Sequence, residues 1–376
     1  MKGALQIARV FGIPVQVHWT FLLIFVWVLI KGLSEAWDWE AIGWMMAFVL
    51  AIFFCVVLHE FGHALTARRY GVQTRDIILS PIGGVARLDR LPDDPRHEFM
   101  VALAGPMVNL FISMLLAVQP VFISANGRSQ LYNFFLSIFY PASNAFNIGL
   151  SGWDYFVFGL IFLNIILALF NMMPAFPMDG GRVLRALLSI RMGRLRATRL
   201  ATYVGQAFAV AIVALGLWQL SIITAVVGIF VFVMAANEYK MVRFDRLLST
   251  HKVADVVRRG FTPVYAWQPL GEVLDRMQHG AERSFLVFDQ WHNLCGALSE
   301  RTLVNLAKAK TTDRGKAVGE IAAVVSGGLL LYDALDEVYG KVYARQAGVL
   351  PVYEKGQLVG MVDEDGLRTF LKLMDK

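Results

Sequence analysis

Charge is what this sequence has least of. Only 17% of its 376 residues are Asp, Glu, Lys or Arg and 57% are hydrophobic, against roughly 25% and 45–50% in soluble domains. That excludes an ordinary water-soluble enzyme. The shortage is local: residues 1–250 carry 19 basic and 13 acidic side chains, and residues 251–376 carry 16 of each. The first part therefore has the composition of a membrane domain and the second that of a globular one. The net charge of +6 belongs wholly to the apolar part, where loop charge accounts for it, so no nucleic-acid-binding surface is implied. Cysteine is nearly missing as well. Cys55 and Cys295 support neither a disulfide framework nor a thiolate zinc site. The N-terminal stretch also lacks a small-residue cleavage signal, so the first apolar run reads as a retained span.

What is present is a series of long uncharged runs: Phe11–Ile30, Ala41–Leu58, Phe99–Ala125, Tyr155–Met178 and Leu200–Asn237. A membrane helix needs about 20 apolar residues. The last run would reach roughly 57 Å as one helix, nearly twice the bilayer core, so it should be two spans turning near Gly216–Ser221. Six spans are expected. Ser129–Trp153 is also uncharged, but Pro141 and several Asn and Ser residues make it an interfacial loop. The basic residues have a sidedness. Arg68, Arg69, Arg75, Arg87, Arg90 and Arg96, then six Arg from Arg182 to Arg199, then Lys240, Arg243 and Arg246 fall on one side, with only Lys31 and Arg128 on the other. By the positive-inside rule both termini are cytoplasmic.

Ionisable residues in apolar spans mark function, and here they form His59-Glu60-Phe61-Gly62-His63 at the end of the second run. Residues i and i+4 share a helix face, so both imidazoles can reach one zinc ion, with Glu60 placed to take a proton from the attacking water. A catalytic zinc wants a third protein ligand. His18, near the start of the first run, and His97, in a charged loop, are poor candidates. Asp179 is better: it is the only acidic residue between Asp154 and Glu238, in Asn171-Met-Met-Pro-Ala-Phe-Pro-Met-Asp179-Gly-Gly. The alternative is that Asp179 caps the helix starting at Gly180 or Gly181.

The paired motifs resemble the site-2 protease family of intramembrane zinc metallopeptidases. Pro81-Ile-Gly83-Gly84 and Gly105-Pro-Met-Val-Asn109 agree with it, over roughly residues 10–240. The resemblance implies zinc ligands His59, His63 and Asp179, a catalytic base Glu60, and Asn171 holding substrate backbone or the developing oxyanion. It further implies that Asp76–Leu88 is a β-loop whose edge pairs with an unwound substrate strand. Gly83 and Gly84 there suit close backbone approach, or else serve simply as turn residues. Met178 departs from the family's usual Leu. The substrate expected is a transmembrane protein in the cytoplasmic membrane, with lipid around the enzyme.

From about residue 251 the chain reads as two similar halves, each with an extended segment, an amphipathic helix, a hairpin-like stretch and a final helix. Leu270–Met277, Ser284–Asp289, Cys295–Ser299 and Glu300–Lys308 are echoed by Ala334–Ala344, Gly348–Tyr353, Leu358–Asp363 and Glu364–Met374. This resembles a pair of cystathionine-β-synthase (CBS) motifs, a regulatory module that often binds adenine nucleotides and offers a route to homodimers. The nucleotide pattern is degenerate, with Thr302 where Asp is usual and both polar positions changed at Asp363 and Gly366. The expected architecture is thus a polytopic α-helical membrane domain, residues 1–248, followed by α/β CBS motifs at 249–310 and 311–376. The expected function is zinc-dependent intramembrane proteolysis under control of the tail. The alternative is a CBS-regulated transporter or channel, although no internal repeat before residue 240 supports it.

Overall fold

A computed structural model describes residues 4–81, 83–88, 92, 94–124, 126–139, 151–280, 282–309, 313–325, 327–344 and 348–374. The chain divides into two compact units, Met1–Lys240 and Met241–Lys376.

The first unit opens on a hairpin. β1 (Ala4–Val10) and β2 (Ile13–His18) pair antiparallel and turn at Phe11 and Gly12, with φ of 51° and 83°, the two left-handed residues of a tight hairpin turn. The uncharged run expected to cross the membrane from Phe11 is therefore divided. Its helical part is Trp19–Ser34, ending in α1 (Leu22–Ser34). Sixteen residues reach only about 24 Å, short of the ~30 Å hydrocarbon core.

The chain continues as α2 (Trp39–Arg69), β3 (Thr74–Ser80), β4 (Gly83–Leu88), α3 (Pro95–Val118), α4 (Gly127–Phe139), α5 (Gly152–Asn171), α6 (Asp179–Met192), α7 (Arg194–Trp218) and α8 (Ile222–Thr250). Among the described residues five helices are long and apolar enough to span a membrane: α2, α3 with its extension to Ile123, α5, α7 and α8. The expected six thus become five of full length and one short apolar helix. The 38-residue run does split, turning between Trp218 and Ile222. The stretch read as a loop contains α4, and its residues 140–150 lie outside the described residues. Large apolar side chains such as Phe54 and Leu115 are 63% and 61% exposed, as a lipid-facing surface requires.

Four strands form one sheet in the order β1-β2-β3-β4, with β2 and β3 parallel and β4 at its edge. Ile13, Val15, Ile77 and Ala86 pack with Phe61 and Ala64 of α2, which seats the sheet on the helix carrying the histidines. Arg87 of β4 donates from Nε to Asp76 Oδ1 of β3 at 2.6 Å, fastening the edge strand and holding the Asp76 carboxyl below its ordinary range. Elsewhere Arg185 of α6, fully buried, donates to Glu98 of α3 at 2.6 Å and to Glu238 of α8 at 2.8 Å. Its guanidinium lies 5.1 Å from the Phe176 ring centroid. A buried cation is tolerated only with such partners, so this group fixes α6 and the turn before it against α3 and α8.

The second unit repeats one motif. β5 (Val264–Tyr265), α9 (Leu270–His279), β6 (Phe285–Phe288), β7 (Leu294–Leu298) and α10 (Glu300–Lys308) are followed by β8 (Leu329–Leu330), α11 (Leu335–Ala344), β9 (Val349–Glu354), β10 (Gln357–Asp363) and α12 (Glu364–Met374). Each half has a parallel strand pair extended by an antiparallel hairpin, the β-α-β-β-α order that the CBS resemblance implies. The halves share a core: Leu286, Phe288 and Ala297 pack with Val349 and Met361. They also exchange opening segments. Val253 packs with Leu329 and Leu350, and Val318 packs with Val264 and Leu298.

Candidate metal centre

The site is built from two buried helix segments. On α2 the four-residue spacing puts His59 and His63 on one face, with their Nε2 atoms 3.1 Å apart. Asp179 arrives at the first turn of α6, after the chain has broken α5 at Asn171, and its Oδ2 lies 3.2 Å from His59 Nε2 and 3.1 Å from His63 Nε2. All three residues are buried. The capping alternative for Asp179 is not what the structure contains. Met178 occupies the cap position without a side-chain bond, and the carboxylate is turned to the imidazoles, its other oxygen 3.9 Å from Arg182 Nη1.

Whether zinc fits can be read from the donors. A carbonyl can only accept, so the 2.7 Å contact of His63 Nδ1 with the Val101 carbonyl is an N–H donation. In the neutral ring it leaves Nε2 with its lone pair facing the cluster. Two imidazole nitrogens and a carboxylate oxygen at 3.1–3.2 Å nearly match the edges of a tetrahedral zinc site, about 3.3 Å for bonds near 2.0–2.1 Å. Gly105 of α3 supplies the room. A Cβ there would fall 2.2 Å from His63 Nε2 and 2.7 Å from His59 Nε2. The donor set and the cradle suit a zinc ion.

Glu60, between the two histidines, points elsewhere: its Oε2 accepts a 2.9 Å hydrogen bond from the Ala86 backbone N–H of β4. The two glycines of the turn separate in role. Gly83 has φ of +135° with open space around it, a backbone demand. Gly84 lies against Glu60, where a Cβ would be 2.9 Å from Glu60 Cγ, a demand for close approach. Asn171 ends α5, half-buried, and among the described residues no hydrogen bond joins its amide to the three clustered side chains. His18 bonds Thr20 and His97 stacks on Tyr70; neither enters the cluster.

Sequence reasoning missed the working parts of Gly105, Val101 and Ala86. Gly105 was visible within Gly105-Pro-Met-Val-Asn109, but its function depends on a helix crossing. Val101 and Ala86 act through backbone atoms, which leave no mark in a sequence.

The sequence model of peptidase family M50 matches residues 47–215. A zinc metalloprotease of Methanocaldococcus jannaschii is 34% identical over 74% of this chain and 73% of its own length. The solved site-2 protease from that organism is 32% identical over 63% of this chain and 95% of that one, with a TM-score of 0.44. A CBS-domain containing protein of Agrobacterium tumefaciens is 18% identical over 31% of this chain and 88% of that one, with a TM-score of 0.28. The first relative matches across nearly three quarters of both chains, and the family model spans the segments that carry the two histidines and the aspartate. On that likeness the chain belongs to peptidase family M50, the site-2 type of intramembrane zinc metalloprotease.

Proposed function

We propose that His59, His63 and Asp179 hold one zinc ion per chain and that Glu60 is the base, hydrolysing a peptide bond in or near a transmembrane segment of a membrane-protein substrate. The observation that carries the reading is the convergence of three buried donor atoms to 3.1–3.2 Å, with Glu60 lying in the chain between the two histidines. When bound, zinc lowers the pKa of water toward about 7 and polarises the scissile carbonyl.

The protein's own groups do the rest. Glu60 takes the proton of the attacking water and passes it to the leaving amine. A substrate helix hides its carbonyls in i→i−4 hydrogen bonds, so it must unwind, and addition as a strand to the β4 edge replaces the lost bonds. Gly83 and Gly84 leave that edge free of side chains, and Asn171 bonds the substrate backbone or the developing oxyanion. The expensive burial of His and Asp at membrane depth is supported by the Val101 carbonyl on His63 and by Arg182, 3.9 Å from Asp179.

The arginine bias puts both termini, and with them the tail, on the cytoplasmic side of the cell membrane, with lipid around the helices. The tail, motifs 249–310 and 311–376, acts as a regulator and a route to homodimers. An adenine nucleotide on it has little support from the residues. Ser299 caps α10 through the Thr302 amide, and the buried Asp363 accepts from the Gly366 amide, so the polar groups of the usual binding pattern serve their own helices.

The test is a comparison of membranes containing the active chain with membranes containing Glu60→Gln. New peptide termini within apolar segments, seen only with the active chain, support the reading and name the substrate. Identical sets of termini refute it.

A further inference from the structure

Glu60 is held between two elements. It grows from α2, yet its Oε2 accepts from the Ala86 N–H of β4 at 2.9 Å. A backbone amide has one proton, so this one is not donated to β3, although Ala86 is the ladder partner of Ile77. In an antiparallel ladder, residues alternate between those that exchange bonds with the partner strand and those whose N–H and C=O face away from it. Ala86 is of the second kind. Since β4 is the last strand of its sheet, the amide faces the open edge, and with period two Gly84 faces the same way.

Gly84 reinforces the contact. A Cβ at that position would lie 2.9 Å from Glu60 Cγ and 3.0 Å from Val56 Cγ1, so the strand backbone rests on the glutamate stem as closely as glycine permits. A free Glu side chain gives up rotamer freedom when fixed, and a charge-assisted bond from a rigid amide is a strong way to fix it.

We propose that the Ala86 amide is a positioning group for the base: it holds Oε2 of Glu60 and leaves the other oxygen to take the proton. This rests on the reading of Glu60 as base and adds to it. The same edge receives the substrate strand in that reading, so base and docked peptide are referenced to one strand. A peptide bonded at Gly84 sits one ladder step, about 6.6–6.8 Å, from the amide anchoring Glu60. The register of cleavage is then a property of β4 as well as of the metal ligands.

The experiment removes the proton without removing the residue. Ala86 is replaced by its α-hydroxy counterpart, lactic acid, so that residue 86 becomes an ester; alanine introduced by the same route is the control. Ala86→Pro gives the same loss by another path, since proline is tolerated on an edge strand whose N–H faces outward. The probe is a quenched-fluorescence peptide copying the segment found cut in the membrane comparison. Both variants should keep zinc and KM and lose about 10–100-fold in kcat, the usual cost of removing a group that orients an active residue. In a Glu60→Gln background the ester should make no further difference. A second readout needs no turnover: amide exchange at Ala86 should accelerate in Glu60→Ala and stay slow in Glu60→Gln, which keeps an acceptor oxygen. Parental kcat in the ester, a rise in KM with kcat unchanged, or slow exchange in Glu60→Ala overturns the proposal. An ester without effect beside an inactive Glu60→Gln removes only the positioning role, whereas Glu60→Gln at the parental rate removes the base itself.

Discussion

Gly105→Ala adds one methyl group, and its two consequences have opposite sign. Gly105 lies inside α3, where replacing glycine by alanine ordinarily stabilises a helix by roughly 0.5–1 kcal/mol. The new Cβ, however, would stand 2.2 Å from His63 Nε2, 2.6 Å from its Cε1 and 2.7 Å from His59 Nε2. An ordinary carbon–nitrogen contact is about 3.4 Å or more, so the His63 ring or α3 must retreat by roughly 1.2 Å. The ring has little freedom: it is buried and tied through Nδ1 to the Val101 carbonyl at 2.7 Å. Displacing a reacting group by about 1 Å costs about 100-fold in rate, and the methyl group also occupies the space that the metal needs. The expected result is a protein that unfolds within about 1 kcal/mol of the parent, retains little zinc, and cleaves at least about 100-fold more slowly. Zinc per chain after gel filtration, thermal unfolding in micelles and cleavage rate are measured together. Gly43→Ala on α2, where nothing lies within 4 Å of the new Cβ, is the control and should keep both zinc and rate. Full zinc and parental cleavage in Gly105→Ala would refute the cradle.

Three further outcomes follow from the same geometry. Asp179→Asn keeps the shape but loses the charge that faces both imidazoles, so zinc should dissociate more readily under chelator; unchanged zinc per chain would place the third ligand elsewhere. Arg185→Leu leaves the buried Glu98 and the half-buried Glu238 without their cation and should destabilise the membrane unit by about 3–5 kcal/mol, read as a lowered unfolding temperature; an unchanged temperature would contradict the role given to that network. Deleting residues 251–376 should leave zinc bound while altering cleavage rate or substrate choice, and a truncated chain indistinguishable from the parent in both would deny the tail a regulatory role.

Side-chain chemistry was more legible in the sequence than backbone geometry was. His59, Glu60 and His63 announce themselves because ionisable groups at helical spacing are expensive beside an apolar run. Asp179 stands out as a lone carboxylate beside a Pro- and Gly-broken span, a better candidate there than the helix cap, and the structure turns its carboxylate to both imidazoles. The tail's repeat was visible because each amphipathic helix and hairpin has its own period. Hydropathy misled at the N-terminus: it counts Ile13, Val15 and Val17 as part of a span, while their alternation with polar Gln16 is the strand signal. It also gave no hint that α4 follows Asn126. The cradle at Gly105, the carbonyl of Val101 and the amide of Ala86 depend on where three elements meet, and chain order does not encode that directly.

The assignment of chemistry to this cluster is tested most directly by Glu60→Gln in the purified full chain, with zinc content and cleavage measured on the same sample. Glutamine keeps the size and an acceptor oxygen but cannot take up the proton, and the proposed metal donors, His59, His63 and Asp179, are other residues. Zinc per chain equal to the parent with cleavage reduced by several orders of magnitude is the expected result. Cleavage at the parental rate would contradict it.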